Sequence, residues 1–208
     1  MNKAVLVIKT AVRAFMRRVA VVLHKVSGGR ITPNAVTIFG TLTHIPIAWL
    51  IAIDYHVLGA ILLVIFGLFD TLDGELARLQ NRTSVKGMLL DASTDRMKEV
   101  MLYTGAAYFF AVGDHPTASA WAVAACGASL CVSYVKAKGE AAVASSEKAI
   151  PHATLNRMFA DGLLTFEMRM AVLVVGLLSG YLMVAVAVIA VLASYTALQR
   201  LVRISSKL

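Results

Sequence analysis

The sequence predicts an all-α integral membrane protein with six transmembrane helices and an N-terminal amphipathic helix at the membrane interface. Of its 208 residues, 59% are hydrophobic and only 15% are charged, whereas about a quarter of the residues in a soluble domain are charged. The net charge of +8 could indicate a nucleic-acid partner. The cations follow membrane topology instead, so we expect no nucleic-acid binding.

Six apolar stretches approach the about 20 residues that a membrane-crossing helix needs. They are separated by connections of which three, residues 54–56, 113–116 and 179–181, are very short and contain no Lys or Arg. The six predicted spans are Asn34–Ile53, Val57–Leu76, Leu89–Val112, Thr117–Val135, Leu163–Leu178 and Tyr181–Leu201.

The distribution of cations predicts the orientation in the membrane. All 20 Lys and Arg lie in the N-terminal segment, residues 78–98, residues 136–169 and the C-terminal tail, which six spans place on one side. By the positive-inside rule this side is the cytoplasm. We therefore expect a multi-pass protein of the cell membrane with both termini and the functional site on the cytoplasmic side.

Residues 1–30 form a segment of their own, distinct from the six-helix domain predicted over 31–208. Lys9, Arg13, Arg17 and Arg18 lie largely on one side of a helix drawn over this segment. The pattern predicts a juxtamembrane helix on the anionic leaflet, or alternatively a surface helix that packs on the rest of the protein. The opposite, apolar side holds Val5, Ile8, Val12, Phe15, Val19 and Val22.

Residues 69–96, FDTLDGELARLQNRTSVKGMLLDASTDR, place four carboxylates where two spans meet the interface. Asp70 and Asp73 are three apart and Asp91 and Asp95 four apart, so each pair shares a helix face. At about 1.5 Å per residue, Asp70 lies roughly 12 Å above Arg78 on its helix, and Asp95 is equally far above the start of the next. An antiparallel hairpin therefore brings all four to similar depth.

Unpaired carboxylates at that depth would repel one another and lose hydration. Two divalent cations with oxygen ligands would remove the repulsion. Small residues at Gly74, Ala77 and Gly87 leave room for a ligand beside them, and Arg78 and Ser84 can donate to phosphate. The alternative interpretation is an ion pathway, or helix-to-helix ion pairing with Arg78, Arg82, Arg96 and Lys98.

The spacing D-x2-D-G-x2-A-R-x8-G-x3-D-x3-D resembles the motif of the CDP-alcohol phosphotransferases. That resemblance implies six transmembrane helices, a homodimer, and transfer of a substituted phosphate from a CDP-linked lipid to an alcohol with release of CMP. The positions that carry it are Asp70, Asp73, Gly74, Ala77, Arg78, Gly87, Asp91 and Asp95.

The resemblance also assigns roles to these residues. It implies that Asp70, Asp73, Asp91 and Asp95 bind two divalent metals, Mg²⁺ or Mn²⁺, and that Asp95 is in addition the general base. The remaining implied role is binding of the CDP-linked lipid, by Asn34, Thr37, Asp73, Gly74, Ala77, Arg78, Ser84 and Gly87.

The acceptor alcohol is less strongly indicated. LDASTDR at 90–96 and SYVKAKGE at 133–140 resemble members that use inositol phosphate, whereas FEMRM at 166–170 departs from their pattern and leaves glycerol 3-phosphate as an alternative. Lys136 and Arg169, with Lys138 and Arg200, are expected to bind the acceptor phosphate. Three of these cations also lie where side chains reach out to the membrane interface.

Two other classes of protein remain open from the sequence. Intramembrane prenyltransferases also use Asp-rich segments with Mg²⁺, but they need two such segments on different helix pairs. A small ion transporter would explain intramembrane carboxylates, but it predicts no metal-dependent nucleotide binding.

Overall fold

The computed structural model describes residues 3–144 and 164–206, and within them it contains helices and no β-strand. A short 3₁₀ turn, Pro116–Ala118, precedes α6. The α-helices in chain order are α1 Lys3–Val26, α2 Pro33–Ala52, α3 His56–Gly67, α4 Phe69–Leu79, α5 Val85–Val112, α6 Ser119–Ala144, α7 Phe166–Ser179 and α8 Leu182–Ser205.

Four stretches are long and apolar enough to cross a membrane, namely Pro33–Ala52, His56–Leu79, Pro116–Val143 and Leu182–Ser205. This confirms four of the predicted spans. Helix α5 is long enough but carries three acidic and three basic residues, and α7 has only 14 residues. The count of six therefore stays a prediction, and the first residue of the predicted fifth span lies outside the described residues.

Contacts within the chain group it into two compact units. The first comprises Met1–Trp49 and Ile61–Met101, and the second Leu50–Ala60 and Leu102–Leu208. Three helices, α2, α3 and α5, contribute residues to both units.

In the first unit, α1 packs along α4. The buried residues of this interface include Met16, Ala20 and Leu76, and burial of such side chains is the main force that holds helices together. Phe15 and Val22, which the sequence places on the same apolar face, are 58% and 60% exposed. The contact with α4 agrees with the alternative interpretation of α1, a surface helix that packs on the rest of the protein. The location of α1 at the membrane interface stays a prediction.

The stretch before the motif is interrupted by one residue. Helix α3 ends at Gly67 and α4 begins at Phe69, and the Leu68 N–H bonds to the Ile65 carbonyl three residues back at 3.3 Å. Such tightening of a turn changes the direction of the chain slightly. The helix interruption at Leu68 therefore lies two residues before Asp70.

In the second unit, α8 packs against α6 and α7. At the α7–α8 turn Gly180 adopts a φ of +76°, which glycine tolerates without strain. Gly176 lies so close to Ala185 that a methyl group there would collide with the alanine side chain. The absence of a side chain at 176 thus allows the two helices to approach.

Candidate functional site

Three of the four predicted metal ligands meet at one point. Helix α4 supplies Asp70 and helix α5 supplies Asp91 and Asp95, and one carboxylate oxygen of each lies within 4.8 Å of the others. We call these three residues the acidic cluster. The grouping confirms that acidic side chains gather into an arrangement able to hold a divalent cation.

Asp73, the fourth predicted ligand, is turned toward α2. Its side chain is buried, and it accepts a hydrogen bond of 2.5 Å from the Thr37 hydroxyl. The Thr37 hydroxyl also lies 3.2 Å from the Pro33 carbonyl. Because a hydrogen bond to a carboxylate is shorter and stronger than a neutral one, Thr37 fixes the orientation of Asp73.

A cleft of about 520 Å³ opens beside the acidic cluster. Asp91 belongs to the acidic cluster and also lines the cleft. A ligand in this cleft would therefore lie against a carboxylate of the acidic cluster. All eight residues predicted to bind the CDP-linked lipid line the cleft, namely Asn34, Thr37, Asp73, Gly74, Ala77, Arg78, Ser84 and Gly87.

Local structure explains two of these residues. The Ser84 hydroxyl accepts a hydrogen bond of 3.0 Å from the Gly87 N–H, which is the bond that a serine makes when it caps the N-terminus of a helix. A methyl group at Gly87 would lie 3.3 Å from the Ser84 hydroxyl oxygen and 3.7 Å from the Asn34 side chain. Glycine therefore keeps the start of α5 open toward the cleft.

Arg78 is held by a residue that the sequence did not single out. Glu75, whose side chain is only 7% exposed, accepts a hydrogen bond of 2.6 Å from the Arg78 guanidinium. The same oxygen of Glu75 lies 3.6 Å from Arg13 on α1. A residue three positions earlier on the same face thus orients Arg78, and α1 supplies a second cation to that carboxylate.

A lysine side chain contacts the acidic cluster. Lys98 on α5 donates a hydrogen bond to Asp70 on α4, and its ammonium lies 3.3 Å from Asp95. The pair with Asp70 joins two helices, as the ion-pairing interpretation of this region predicts. Arg96 adds a weaker contact of 3.8 Å to Asp95 and a close one of 2.7 Å to Glu99.

The residues of this region fit a divalent cation. Asp91 Oδ1 is buried and accepts no hydrogen bond within the described part of the chain, so this oxygen has an acceptor site for an ion. Carboxylate oxygens are the ligands that Mg²⁺ and Mn²⁺ prefer. The four aspartates carry more negative charge than Lys98 can balance.

The residues predicted to bind the acceptor phosphate lie in the second unit. Arg169 and Arg200 are buried, with exposures of 1% and 6%, and they are close enough for their charges to interact. Arg169 donates to the Leu164 carbonyl at 3.1 Å, and Arg200 approaches the Val132 carbonyl at 3.4 Å. The structure thus brings these two arginines together.

The two predicted lysines have a different environment. Lys136 is about half exposed and lies 3.9 Å from Glu140, while Lys138 is exposed with its ammonium 5.8 Å from the centre of the Tyr134 ring. Residues two apart on a helix point in different directions. Their role in acceptor binding stays a prediction.

Comparison with known proteins decides the family. A profile of the CDP-alcohol phosphatidyltransferase family matches residues 30–200, which is most of the chain. The chain belongs to this family. The resemblance inferred from the eight motif residues is therefore confirmed, and membership together with the four apolar spans makes the chain a multi-pass membrane protein.

Curated relatives of this CDP-alcohol phosphatidyltransferase are named phosphatidylinositol phosphate synthases. The phosphatidylinositol phosphate synthase of Mycobacteroides abscessus is 35% identical over 112 residues, which cover 53% of this chain and 51% of the relative. The chain spans about half the length of the curated relatives that it matches.

Solved structures share the fold of this family member over almost its whole length. The Mycobacterium tuberculosis phosphatidylinositol phosphate synthase with CDP-DAG bound has a TM-score of 0.76 and 25% identity, covering 91% of this chain and 92% of that one. The same enzyme in complex with manganese and citrate has a TM-score of 0.78 at 24% identity, covering 92% and 89%. The second likeness concerns the fold alone.

Three residues of the site are not among the predicted functional residues. The sequence predicts Lys98 only as an ion-pairing partner, and none of its patterns relates Glu75 or Arg13 to this site. A signal was present for Lys98, because it stands three residues after Asp95 on the same helix face. For Arg13, only the packing of α1 on α4 reveals the contact.

Proposed function

We propose that this CDP-alcohol phosphatidyltransferase transfers the phosphatidyl group of CDP-diacylglycerol to a hydroxyl of inositol phosphate and releases CMP. The observation that carries the proposal is the cleft, because the residues expected to hold the CDP group line it and Asp91 connects it to the acidic cluster. The names of the relatives from Mycobacteroides abscessus and Mycobacterium tuberculosis support the donor and the acceptor.

The cleft offers the groups that a cytidine diphosphate requires. Arg78 presents a guanidinium oriented by Glu75, and guanidinium groups bind phosphate through paired hydrogen bonds. Asn34, Thr37 and Ser84 supply amide and hydroxyl groups along the wall. Gly74 and Ala77 leave space there, so that the diphosphate can approach the α4 backbone.

Two divalent cations, Mg²⁺ or Mn²⁺, would be held by Asp70, Asp73, Asp91 and Asp95. When bound, such ions neutralise the diphosphate and stabilise the charge that develops on the leaving CMP. Thr37 orients Asp73 for this role through its hydrogen bond of 2.5 Å.

In the proposed reaction the acceptor hydroxyl attacks the β-phosphorus of the donor in line with the bond to CMP. A new bond forms between the hydroxyl oxygen and the β-phosphorus, and the bond from that phosphorus to the bridging oxygen breaks. Asp95 takes the hydroxyl proton as general base, and the electron pair of the broken bond leaves with CMP. Arg96, whose guanidinium lies 3.8 Å from Asp95, helps to orient this base.

We assign the acceptor phosphate to Arg169 and Arg200, with Lys136 and Lys138 as further cations. Water screens the charge of a buried guanidinium group only weakly, so a dianionic phosphate would be attracted more strongly there than at an exposed site. A neutral alcohol would not gain from this attraction. The burial of Arg169 and Arg200 therefore supports a phosphorylated acceptor.

The proposal includes the arrangement in the membrane. Residues 31–208 would form six spans with the cleft and both termini on the cytoplasmic side, because every Lys and Arg of the sequence then lies on that side. Residues 1–30 would lie at the interface of the cell membrane. Two chains would form a homodimer, as the family resemblance implies.

The test is release of CMP by the purified protein with CDP-diacylglycerol and Mg²⁺ or Mn²⁺. Inositol 1-phosphate, free inositol, glycerol 3-phosphate and serine are compared as acceptors. Turnover with inositol 1-phosphate alone is the expected result. Turnover with glycerol 3-phosphate alone would contradict the acceptor but keep the chemistry, and the absence of CMP with every acceptor would contradict the proposed function.

A further inference from the structure

Lys98 is the most deeply buried charge that contacts the acidic cluster. Its side chain is 2% exposed, and its ammonium contacts Asp70 on α4 and lies 3.3 Å from Asp95 on α5. Burying an ammonium group is costly unless carboxylates compensate it. The position of Lys98 therefore depends on these two aspartates.

A divalent cation held by the acidic cluster would bind the same two carboxylate groups that Lys98 contacts. Lys98 approaches Asp70 and Asp95 at their Oδ1 atoms, and metal ions bind carboxylates at about 2.0–2.6 Å. An ammonium group and a metal ion that share these oxygens would lie within a few ångströms of each other and repel strongly. Contact of the Lys98 ammonium with the Asp70 and Asp95 oxygens therefore weakens the binding of a metal ion to the same oxygens.

Asp91 differs from the other two members of the acidic cluster. Its Oδ1 atom is buried and accepts no hydrogen bond from the described residues, and its carboxylate also lines the cleft. A cation that binds Asp91 Oδ1 does not have to displace a hydrogen-bond donor of the described residues from that oxygen. The acidic cluster thus has one side that is open to a cation and one that Lys98 occupies.

We propose that Lys98 lowers the affinity of the acidic cluster for divalent cations by competing with them for Asp70 and Asp95. This inference rests on the proposed function, because it takes the acidic cluster to be a metal site. Lys98 is a positioning residue in this scheme, since it acts on the carboxylates and not on a substrate. Binding of an ion to Asp70 and Asp95 displaces the ammonium from their Oδ1 atoms.

The experiment is a titration of the 208-residue protein with Mn²⁺, in which free Mn²⁺ is measured by electron paramagnetic resonance. K98M keeps the length of the side chain and removes its charge. We expect it to bind the more weakly held of the two ions about ten- to hundredfold more tightly, because a unit charge a few ångströms away no longer repels that ion. K98R keeps the charge and should stay within about threefold of the unchanged protein.

A matched control removes a cation from the same helix without touching the acidic cluster. Lys86 is exposed in the first turn of α5, and K86M should change Mn²⁺ affinity by less than about twofold because exposed charges are screened. K98Q is a second uncharged variant, which keeps a donor for the carboxylates and replaces K98M as the test if K98M does not fold. K98Q should also bind Mn²⁺ more tightly than the unchanged protein.

Thermal unfolding provides a readout that does not depend on turnover. In excess EDTA, K98M should unfold at a lower temperature than the unchanged protein, because its buried carboxylates lose their cation. Saturating Mn²⁺ should raise its unfolding temperature by more than it raises that of the unchanged protein. Equal shifts in the two proteins would contradict competition.

The outcomes separate this inference from the proposed function. If D91N weakens Mn²⁺ binding while K98M and K98Q match the unchanged protein, the inference is wrong and the metal site stands. If the unchanged protein binds Mn²⁺ no better than D91N, the metal site itself is wrong and the inference falls with it. Tighter binding by both uncharged variants supports both.

Discussion

The acidic cluster and the arginine pair of Arg169 and Arg200 are two groups of like charges that differ in burial, because Asp70, Asp91 and Asp95 are partly exposed whereas both arginines are buried. In the acidic cluster, a neighbouring ammonium contacts two carboxylates directly. The contacts described for Arg169 and Arg200 run to main-chain carbonyls and, for Arg169, to the Phe166 ring at 5.9 Å.

The difference indicates what each region can bind. Water screens the charge of a buried guanidinium group less than that of an exposed one, so a buried arginine pair attracts an anion more strongly than an exposed pair would. An acidic cluster with one ammonium keeps part of its negative charge for a cation. We therefore expect changes in the acidic cluster to alter metal binding and chemistry, and changes in the arginine pair to alter the affinity for the acceptor.

The largest effect is expected from D95N. Asparagine keeps the shape of the side chain but cannot accept the hydroxyl proton, so CMP release should fall by about 10² to 10⁴, the usual contribution of a general base. The measurement is the initial rate of CMP release at saturating substrates. D114N, which changes an exposed loop carboxylate, serves as the control and should keep full activity.

The arginine pair should show a different pattern. R169K and R200K keep the charge but lose the paired hydrogen bonds, so we expect KM for inositol 1-phosphate to rise about ten- to hundredfold, the value of a charge-assisted bond. KM for CDP-diacylglycerol should stay within about twofold. A parallel rise in both KM values would mean that the two regions do not bind separate substrates.

G74A tests the cleft beside the acidic cluster. A methyl group at position 74 would lie 3.5 Å from the Arg78 guanidinium, which is an ordinary contact, so the fold should tolerate it. Alanine stabilises a helix interior by up to about 1 kcal/mol over glycine, and the unfolding temperature should not fall. The affinity for CDP, measured by calorimetry, should fall about tenfold because the methyl group fills the wall of the cleft.

The smallest effect is expected from R13M, which removes the second cation beside Glu75. Arg13 is 71% exposed, and exposed ion pairs contribute about 0.2–1 kcal/mol. CDP affinity should therefore fall about two- to fivefold, since Glu75 then cancels more of the Arg78 charge. The control R17M, on the same helix, should have no effect, and an equal loss in R17M would contradict the role of Arg13.

The motif region was predictable because its geometry is local. Residues three or four apart on one helix share a face, and two consecutive helices must lie close together. That rule places Asp70, Asp91 and Asp95 at one point, whereas the eight residues expected to bind the CDP-linked lipid follow from the family resemblance, and all eight line one cleft. Helix geometry does not predict the direction of Asp73, which is set by a hydrogen bond from Thr37 on α2.

Other features depend on contacts that no local pattern encodes. Arg13 reaches Glu75 only because α1 packs on α4. The predicted acceptor residues come from α6, α7 and α8, and no spacing rule relates them. The number of spans is hard to predict for a physical reason, because α5 carries the functional charges that lower its apparent hydropathy.

All residues that line the cleft lie between Pro33 and Asp91, so the ribosome has synthesised every one of them before it begins α6. At about 5–20 residues per second, the C-terminal helix follows several seconds later. During that interval the nascent chain already contains every residue that lines the cleft. The order of synthesis thus lets the cleft form on the growing chain, while the arginines of the second unit are added last.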